Sequence, residues 1–365
     1  MSWLAAPQYW FARLAFERGL AVIYLIAFAC AARQFRGLMG ERGLLPIPRY
    51  LRRVRFWDAP SLFHLRYSDG LFTAVAWSGA VLAAAMAAGL GDAVPLWAAM
   101  LAWLVLWALY ASIVNVGQVW YGFGWETLLL ETGFLAIFLG NAGTQPPVLV
   151  LWLARWLLLR VEFGAGLIKL RGDRCWRDLT CLRYHHETQP MPGPLSWFFH
   201  HLPDPVHRAE VVGNHVAQLA APLVLFAPQP AASVAAAVII VTQLWLVASG
   251  NFAWLNWLTI VLALLAVDTG IVARAVPLPA PGRLAAAPPW YAALVIAFTV
   301  VVAVLSYRPV RNMLSRRQPS AFLSWRLGGL RCPLRRTRAR ARQAGCLEPA
   351  RGGVGLPHIR LTCPF

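Results

Sequence analysis

RWLLLRVEFGAGLIKLRGDRCWRDLTCLRYHHETQPMP, residues 155–192, decides the fold. It begins inside an apolar run, 148–170, and leaves that run in a polar loop holding two cysteines and two adjacent histidines. About 20 apolar residues suffice to cross a bilayer as a helix, so the run is long enough to span. Yet it carries Arg155, Arg160, Glu162 and Lys169. An ionisable residue at bilayer depth costs about 2.5–3.5 kcal/mol on insertion scales, so four of them demand partners or a wet cavity. Arg155, Glu162, Gly166 and Lys169 recur at steps of 7, 4 and 3. That spacing puts all four on one stripe of the helix, with small Gly166 opening space beside the Glu162 carboxylate.

Working outward, the rest of the chain supplies apolar helices to surround this one. Of 365 residues, 59% are hydrophobic and 13% charged. The charged share is about half that of a soluble domain. The apolar residues come in blocks of roughly 18 or more, which reads as transmembrane helices. The 33 basic residues include a single lysine, Lys169. The excess of Arg, Ala, Pro and Gly points to a GC-rich genome, which accounts for part of the lysine shortage. The formal charge of +18 is not a nucleic-acid signal, because residues 312–365 alone hold 11 Arg against one acid, Glu348. Six cysteines, scattered as Cys30, Cys175, Cys181, Cys332, Cys346 and Cys363, build no small disulfide scaffold. The first apolar run follows Arg13, Glu17 and Arg18, lacks a small-residue cleavage site, and reads as a signal anchor.

Apolar stretches fall at 11–32, 71–90, 94–116, the second half of 118–140, 148–170, 211–226, 231–248, 252–267 and 289–306. Pro222 interrupts one of them. The expected fold is therefore all-α: a polytopic transmembrane helical bundle with about eight or nine membrane helices, followed by an Arg-rich tail. A basic connector, 33–69, broken by Pro46 and Pro48, links the first two helices. In the loop 171–212, Pro190, Pro192, Pro194, Pro203 and Pro205 forbid one long helix. SWFFHHL, 196–202, is aromatic enough to dip into the membrane interface.

Several side chains carry two readings. Glu126 and Glu131 precede Arg155 and Arg160 by one helix. They serve as ion pairs that lock two helices, or as part of a proton path with Glu162. Lys169 is a desolvated base, or a lysine snorkelling from the last turn of its helix. Cys175 and Cys181 are a disulfide in an oxidising compartment and thiols in the cytosol. His185, His186, His200, His201, His207 and His215 match no standard metal-site spacing, so no metal and no cofactor is expected. Asn214, Asn251 and Asn256 are expected to hydrogen-bond between helices.

RVEFGAGLIKLRGDRCWRDLTCLRYHHETQPMP resembles the signature loop of the lipase maturation factor family. GLLPIPRYLRRVRFWDAPSLFHLRYSD (43–69), WETLLLETGFLAIFL (125–139), NHVAQLAAPLVLF (214–226), SGNFAWLNWLT (249–259) and SYRPVRNMLSRRQ (306–318) agree in the same order. The resemblance covers about residues 10–318 and defines a transmembrane domain, 1–318. It implies a non-enzymatic membrane protein that assists folding and assembly of secreted proteins such as lipases. Its seat would be the endoplasmic reticulum membrane in a eukaryote, or the inner membrane in a bacterium. The 171–212 loop would meet clients through Trp176, Tyr184, His185, His186 and Glu187. Family topology places that loop, with Cys175 and Cys181, in the lumen. The positive-inside rule, applied to the connector 33–69 and to 169–183, places it in the cytosol. The family topology is preferred, because Arg bias in a GC-rich genome inflates loop charge.

A more distant likeness points elsewhere. AGLIKL, 165–170, followed by Trp176, is similar to a motif of vitamin K-dependent carboxylase and its bacterial relatives. There the matching lysine is the proposed catalytic base. This implies an alternative: a membrane enzyme using Lys169, with Glu162 or Glu131, on a lipid-soluble substrate such as a quinone. After Gln318 the family resemblance stops. Residues 319–365 are expected to be disordered, as a frameshifted product, a basic arm on anionic lipid or a divergent tail, in place of the family's soluble domain.

Overall fold

The structure, a computed structural model, describes residues 2–189, 191–278, 282 and 284–315. The readings made for 319–365 lie outside these residues. The described chain is helical, and no strand forms among the described residues beyond two isolated bridges, Ala5 with Pro147 and Thr144 with Ala285. Helix α1, Trp10–Leu38, runs longer than the apolar pattern alone indicates. Its extra length lies mostly at the C-terminal end, past Ala32, and Arg13, Glu17 and Arg18 sit in its first turns. Then come α2, Asp69–Ala88, and α3, Leu96–Val116. Ser68 starts α2 by accepting a hydrogen bond from the Leu71 amide, and Gly89 ends it in the left-handed conformation at φ 119°. Helix α4, Gly124–Ala136, is shorter, and α5, Val148–Arg171, carries the charged stripe.

Beyond α5 the chain breaks into α6, Arg174–Arg177, α7, Leu182–Thr188, α8, Ser196–His200, and α9, Asp204–His215. The prolines at 190–205 thus space short helices. A π-helical turn, Val216–Ala220, follows α9 and leads into α10, Ala221–Val224, whose second residue is Pro222. Two more helices, α11, Ala231–Ser249, and α12, Leu255–Leu264, precede the last, α13, Pro289–Leu314.

Among the described residues, five segments are long and apolar enough to cross a membrane: Pro7–Leu38, Asp69–Ala88, Leu96–Val116, Ala231–Ser249 and Pro289–Leu314. Helix α5 has 24 residues and is set apart only by its charges. Helices α4 and α12 fall short of the roughly 20 residues of a straight crossing, and the 204–224 stretch is interrupted by its π turn and Pro222. The chain is a helical integral membrane protein.

Helix α1 is the hub, packed along α2 and also against α12, α3 and α4. Tyr24 and Phe28 on α1 meet Trp103 and Tyr110 on α3 in one buried aromatic cluster, with Tyr24 and Tyr110 edge to face at 5.6 Å. A side chain at Gly133 of α4 would overlap the Tyr24 hydroxyl, so glycine there is what lets α4 close on α1. Helix α5 lies on the other side of α4, among α13, α12, α10 and the π turn.

Candidate functional site

The site grows from α5. Its stripe faces the segment 214–243, as the 7–4–3 spacing requires. Arg155 donates to the Leu225 carbonyl at 3.1 Å and to the Tyr9 hydroxyl at 2.9 Å. Its guanidinium also lies 5.4 Å from the Tyr9 ring centre. Glu162 accepts from Gln243 Nε2 at 2.6 Å. A Cβ on Gly166 would stand 2.7 Å from Leu219 Cδ2, so the glycine admits the π turn rather than opening a void. Lys169 Nζ then donates to Asn214 Oδ1 at 2.7 Å and Gln218 Oε1 at 3.0 Å, 4.9 Å from the centre of the Trp176 ring. π turns are frequent at functional sites because they re-aim side chains. Here the turn places Gln218 beside Asn214 on the same ammonium.

Arg160 points the other way, to α4, where it forks onto Glu131 at 3.1 and 3.4 Å. Glu126 does not join this pairing. It lies buried and accepts from the Tyr110 hydroxyl on α3. The reason is helical phase. Five residues turn an α-helix by about 140° beyond a full circle, so Glu126 and Glu131 cannot face the same neighbour, nor can Arg155 and Arg160. Sequence reading also missed Arg13 and Glu17, both buried on α1, with Arg13 donating to the Thr144 carbonyl at 2.5 Å. Their spacing of four, just ahead of an apolar run, was the available signal.

In the loop, a disulfide joins Cys175 to Cys181, Cα atoms 4.8 Å apart. Asp173 caps α6 by accepting from the Cys175 amide at 3.2 Å, and Trp176 packs against His185 at 5.7 Å between ring centres. Burial, with the positive charge of Lys169 and then of His186 nearby, pushes the His185 imidazole down to about 4. Tyr184 is 44% exposed, while Glu187 is exposed and meets His200 at 3.3 Å. His186 departs from the expectation of a client-facing residue. It turns inward, with 4% of its surface exposed, since successive side chains on a helix point about 100° apart. Arg183 and Asp204 tie α7 to α9 across the loop through bonds of 2.5 and 2.8 Å. The Arg183 hydrogen bond holds the Asp204 carboxyl below its usual range. Asn214 makes the expected bond between helices, accepting from Lys169 of α5, whereas Asn251 caps its own turn at Ala253.

Two amide oxygens and one indole ring face thus surround Lys169 Nζ.

A sequence profile described as the lipase maturation factor transmembrane domain matches residues 11–274. The chain belongs to the lipase maturation factor family. It is 40% identical over 355 residues to lipase maturation factor 1 of Bos taurus, covering 86% of this chain and 62% of that protein. It is 39% identical over 349 residues to human lipase maturation factor 1, covering 86% and 61%. With human lipase maturation factor 2 the identity is 36% over 282 residues, covering 70% and 40%. The chain thus spans about three fifths of the length of the first of these relatives. No solved structure matches it.

Proposed function

We propose that this integral membrane protein is a maturation factor for secreted lipases, and that the 171–212 loop is its client-facing surface. The observation that carries the reading is a loop tied down by a disulfide and an ion pair that still presents Tyr184, Trp197 and Phe198 to its surroundings. The last two are 64% and 60% exposed. A rigid loop that leaves large aromatics uncovered has the character of an interaction surface. A disulfide persists in an oxidising compartment, which favours the lumenal or periplasmic side for this loop. The membrane would be that of the endoplasmic reticulum in a eukaryotic cell, or the inner membrane in a bacterium. Lys169 then acts as a positioning residue that anchors the loop through Trp176, Asn214 and Gln218.

The test is complementation. In cells lacking their own lipase maturation factor, expression of this chain is expected to restore secreted lipase activity. The W197S/F198S double variant loses that rescue while remaining membrane-inserted at the same level. Rescue unimpaired by the double variant removes the loop surface from the reading. No rescue by the intact chain, present and folded, removes the function.

A further inference from the structure

The six histidines with no standard metal spacing are rearranged by the fold. His186 on α7, and His207 with Glu210 on α9, converge so that one donor atom from each lies within 4.8 Å of the other two. His207 and Glu210 are three apart, which puts them on one face of α9. His186 arrives from the neighbouring helix, 21 positions earlier, which no local pattern could show. We propose that His186, His207 and Glu210 bind a divalent transition metal ion, zinc foremost.

Four observations carry this. Glu210 Oε2 stands 3.2 Å from His207 Nδ1 and 3.6 Å from His186 Nε2. Ligands about 2.0–2.2 Å from a tetrahedral zinc are roughly 3.3–3.5 Å from one another, so both separations bracket the requirement. His186 Nε2 is fully buried and makes no hydrogen bond, though it aims at the carboxylate. The remaining ring nitrogen of His207 lies 3.2 Å from the His200 carbonyl. A ring that donates Nε2–H to that carbonyl turns the Nδ1 lone pair toward Glu210. Finally, the second Glu210 oxygen accepts from Trp245 Nε1 at 2.8 Å, from α11. Outer partners of this kind fix ligand orientation at metal centres.

The donor set names the metal class. Two imidazoles and a carboxylate suit zinc and its first-row neighbours, and are poor for calcium or magnesium, which prefer all-oxygen shells. Three protein ligands leave a fourth position for water. The ion would pin α7 to α9 across the far half of the loop, much as the disulfide pins the near half. Without a metal, His207 Nδ1 lies within hydrogen-bond distance of the Glu210 carboxylate, while His186 Nε2, 3.6 Å from it, makes no hydrogen bond.

The experiment uses the full chain in detergent, stripped with a chelator and reloaded with zinc alone or cobalt(II) alone. Elemental analysis is expected to give about one zinc per chain. The cobalt form is expected to show the intense visible bands of a four-coordinate ion. E210Q and H186Q keep hydrogen-bonding side chains and are checked by size-exclusion profile. They are expected to lose zinc at equal free metal. Removing the indole donor in W245F is expected to weaken zinc about 10-fold or more without abolishing it. Wild-type protein that retains no zinc, or a cobalt spectrum identical to the aqua ion, overturns the site. Equal zinc in wild type and in E210Q also overturns it, by assigning the metal to the other cysteines and histidines. None of these readouts needs a client, so the outcome is independent of lipase rescue.

Discussion

Two forked arginine–carboxylate pairs sit at opposite levels of this molecule. Arg160 and Glu131 meet at 3.1 and 3.4 Å inside the bundle, their side chains 8% and 12% exposed. Arg183 and Asp204 meet at 2.5 and 2.8 Å in the outer loop, 47% and 41% exposed. The shorter pair is worth less. In water, each group of the outer pair has solvent to fall back on, and salt screens the attraction. In the bundle, loss of the guanidinium leaves the Glu131 carboxylate as a buried charge stripped of its ion pair. Burial rather than bond length ranks the two, and the same contrast separates the rest of α5 from the loop it feeds.

The largest effect expected is at the inner pair. Arg160→Ala leaves Glu131 as a buried, uncompensated carboxylate and is expected to lower stability by about 3–5 kcal/mol. Replacing both partners with apolar residues of similar volume, as R160M/E131L, is expected to recover most of that loss. Denaturant or thermal unfolding in detergent reads both. A single variant as stable as wild type would collapse the distinction between the two levels.

Next is the disulfide. Cys175 and Cys181 close a ring only six residues apart, for which loop-closure entropy allows about 2 kcal/mol. C175S/C181S is expected to lower the midpoint accordingly and to loosen α6, with its Trp176, against His185 and Lys169. An impermeant thiol reagent applied from the non-cytoplasmic side is expected to label these cysteines only after reduction. Labelling that first requires access to the cytoplasmic face would reverse the orientation proposed for the loop.

Smaller again is Gly166→Ala. The added methyl stands 2.7 Å from Leu219 Cδ2, and overpacking of this kind costs about 1–3 kcal/mol. Alanine's better helix propensity returns up to about 1 kcal/mol. A net loss of about 1 kcal/mol is expected from those two terms, with the π turn displaced and Lys169 parted from Gln218. Tryptophan fluorescence of the loop, sensitive to Trp176 over Lys169, checks the displacement separately from stability.

These cases also mark what the sequence held. Apolar run length placed α2, α3, α5, α11 and α13 to within a few residues at most ends, and the 7–4–3 stripe on α5 foretold one common face. Helical phase was there to be read but was set aside: five-residue spacings on α4 and α5 assign Glu126 and Arg155 to neighbours other than Glu131 and Arg160. The π turn was not legible, since it follows from Gly166 meeting Leu219 across two helices. Nor was the inward turn of His186, because the prolines that break the loop say where short helices end and nothing about how they roll. The convergence of His186, His207 and Glu210 needs that roll first, which is why spacing alone argued against a metal.

The smallest effect is expected at the outer pair, and it tests the opening contrast most directly. Asp204 accepts from Arg183 and lies 3.1 Å from Arg208 one turn along α9. The Arg183 hydrogen bond lowers its carboxyl from the usual range. A carboxylate whose folded value is depressed contributes stability above its unfolded value, near 3.8, and loses it as pH falls through the folded one. Asp204→Asn is therefore expected to change nothing between pH 5 and 8 beyond the small worth of an exposed pair. Whatever shift appears at low salt should vanish as ionic strength rises. Melting curves at two salt concentrations decide it. A large, salt-independent loss would mean that the loop's ion pair is shielded as the inner one is, and that bond length, rather than burial, had been the better guide.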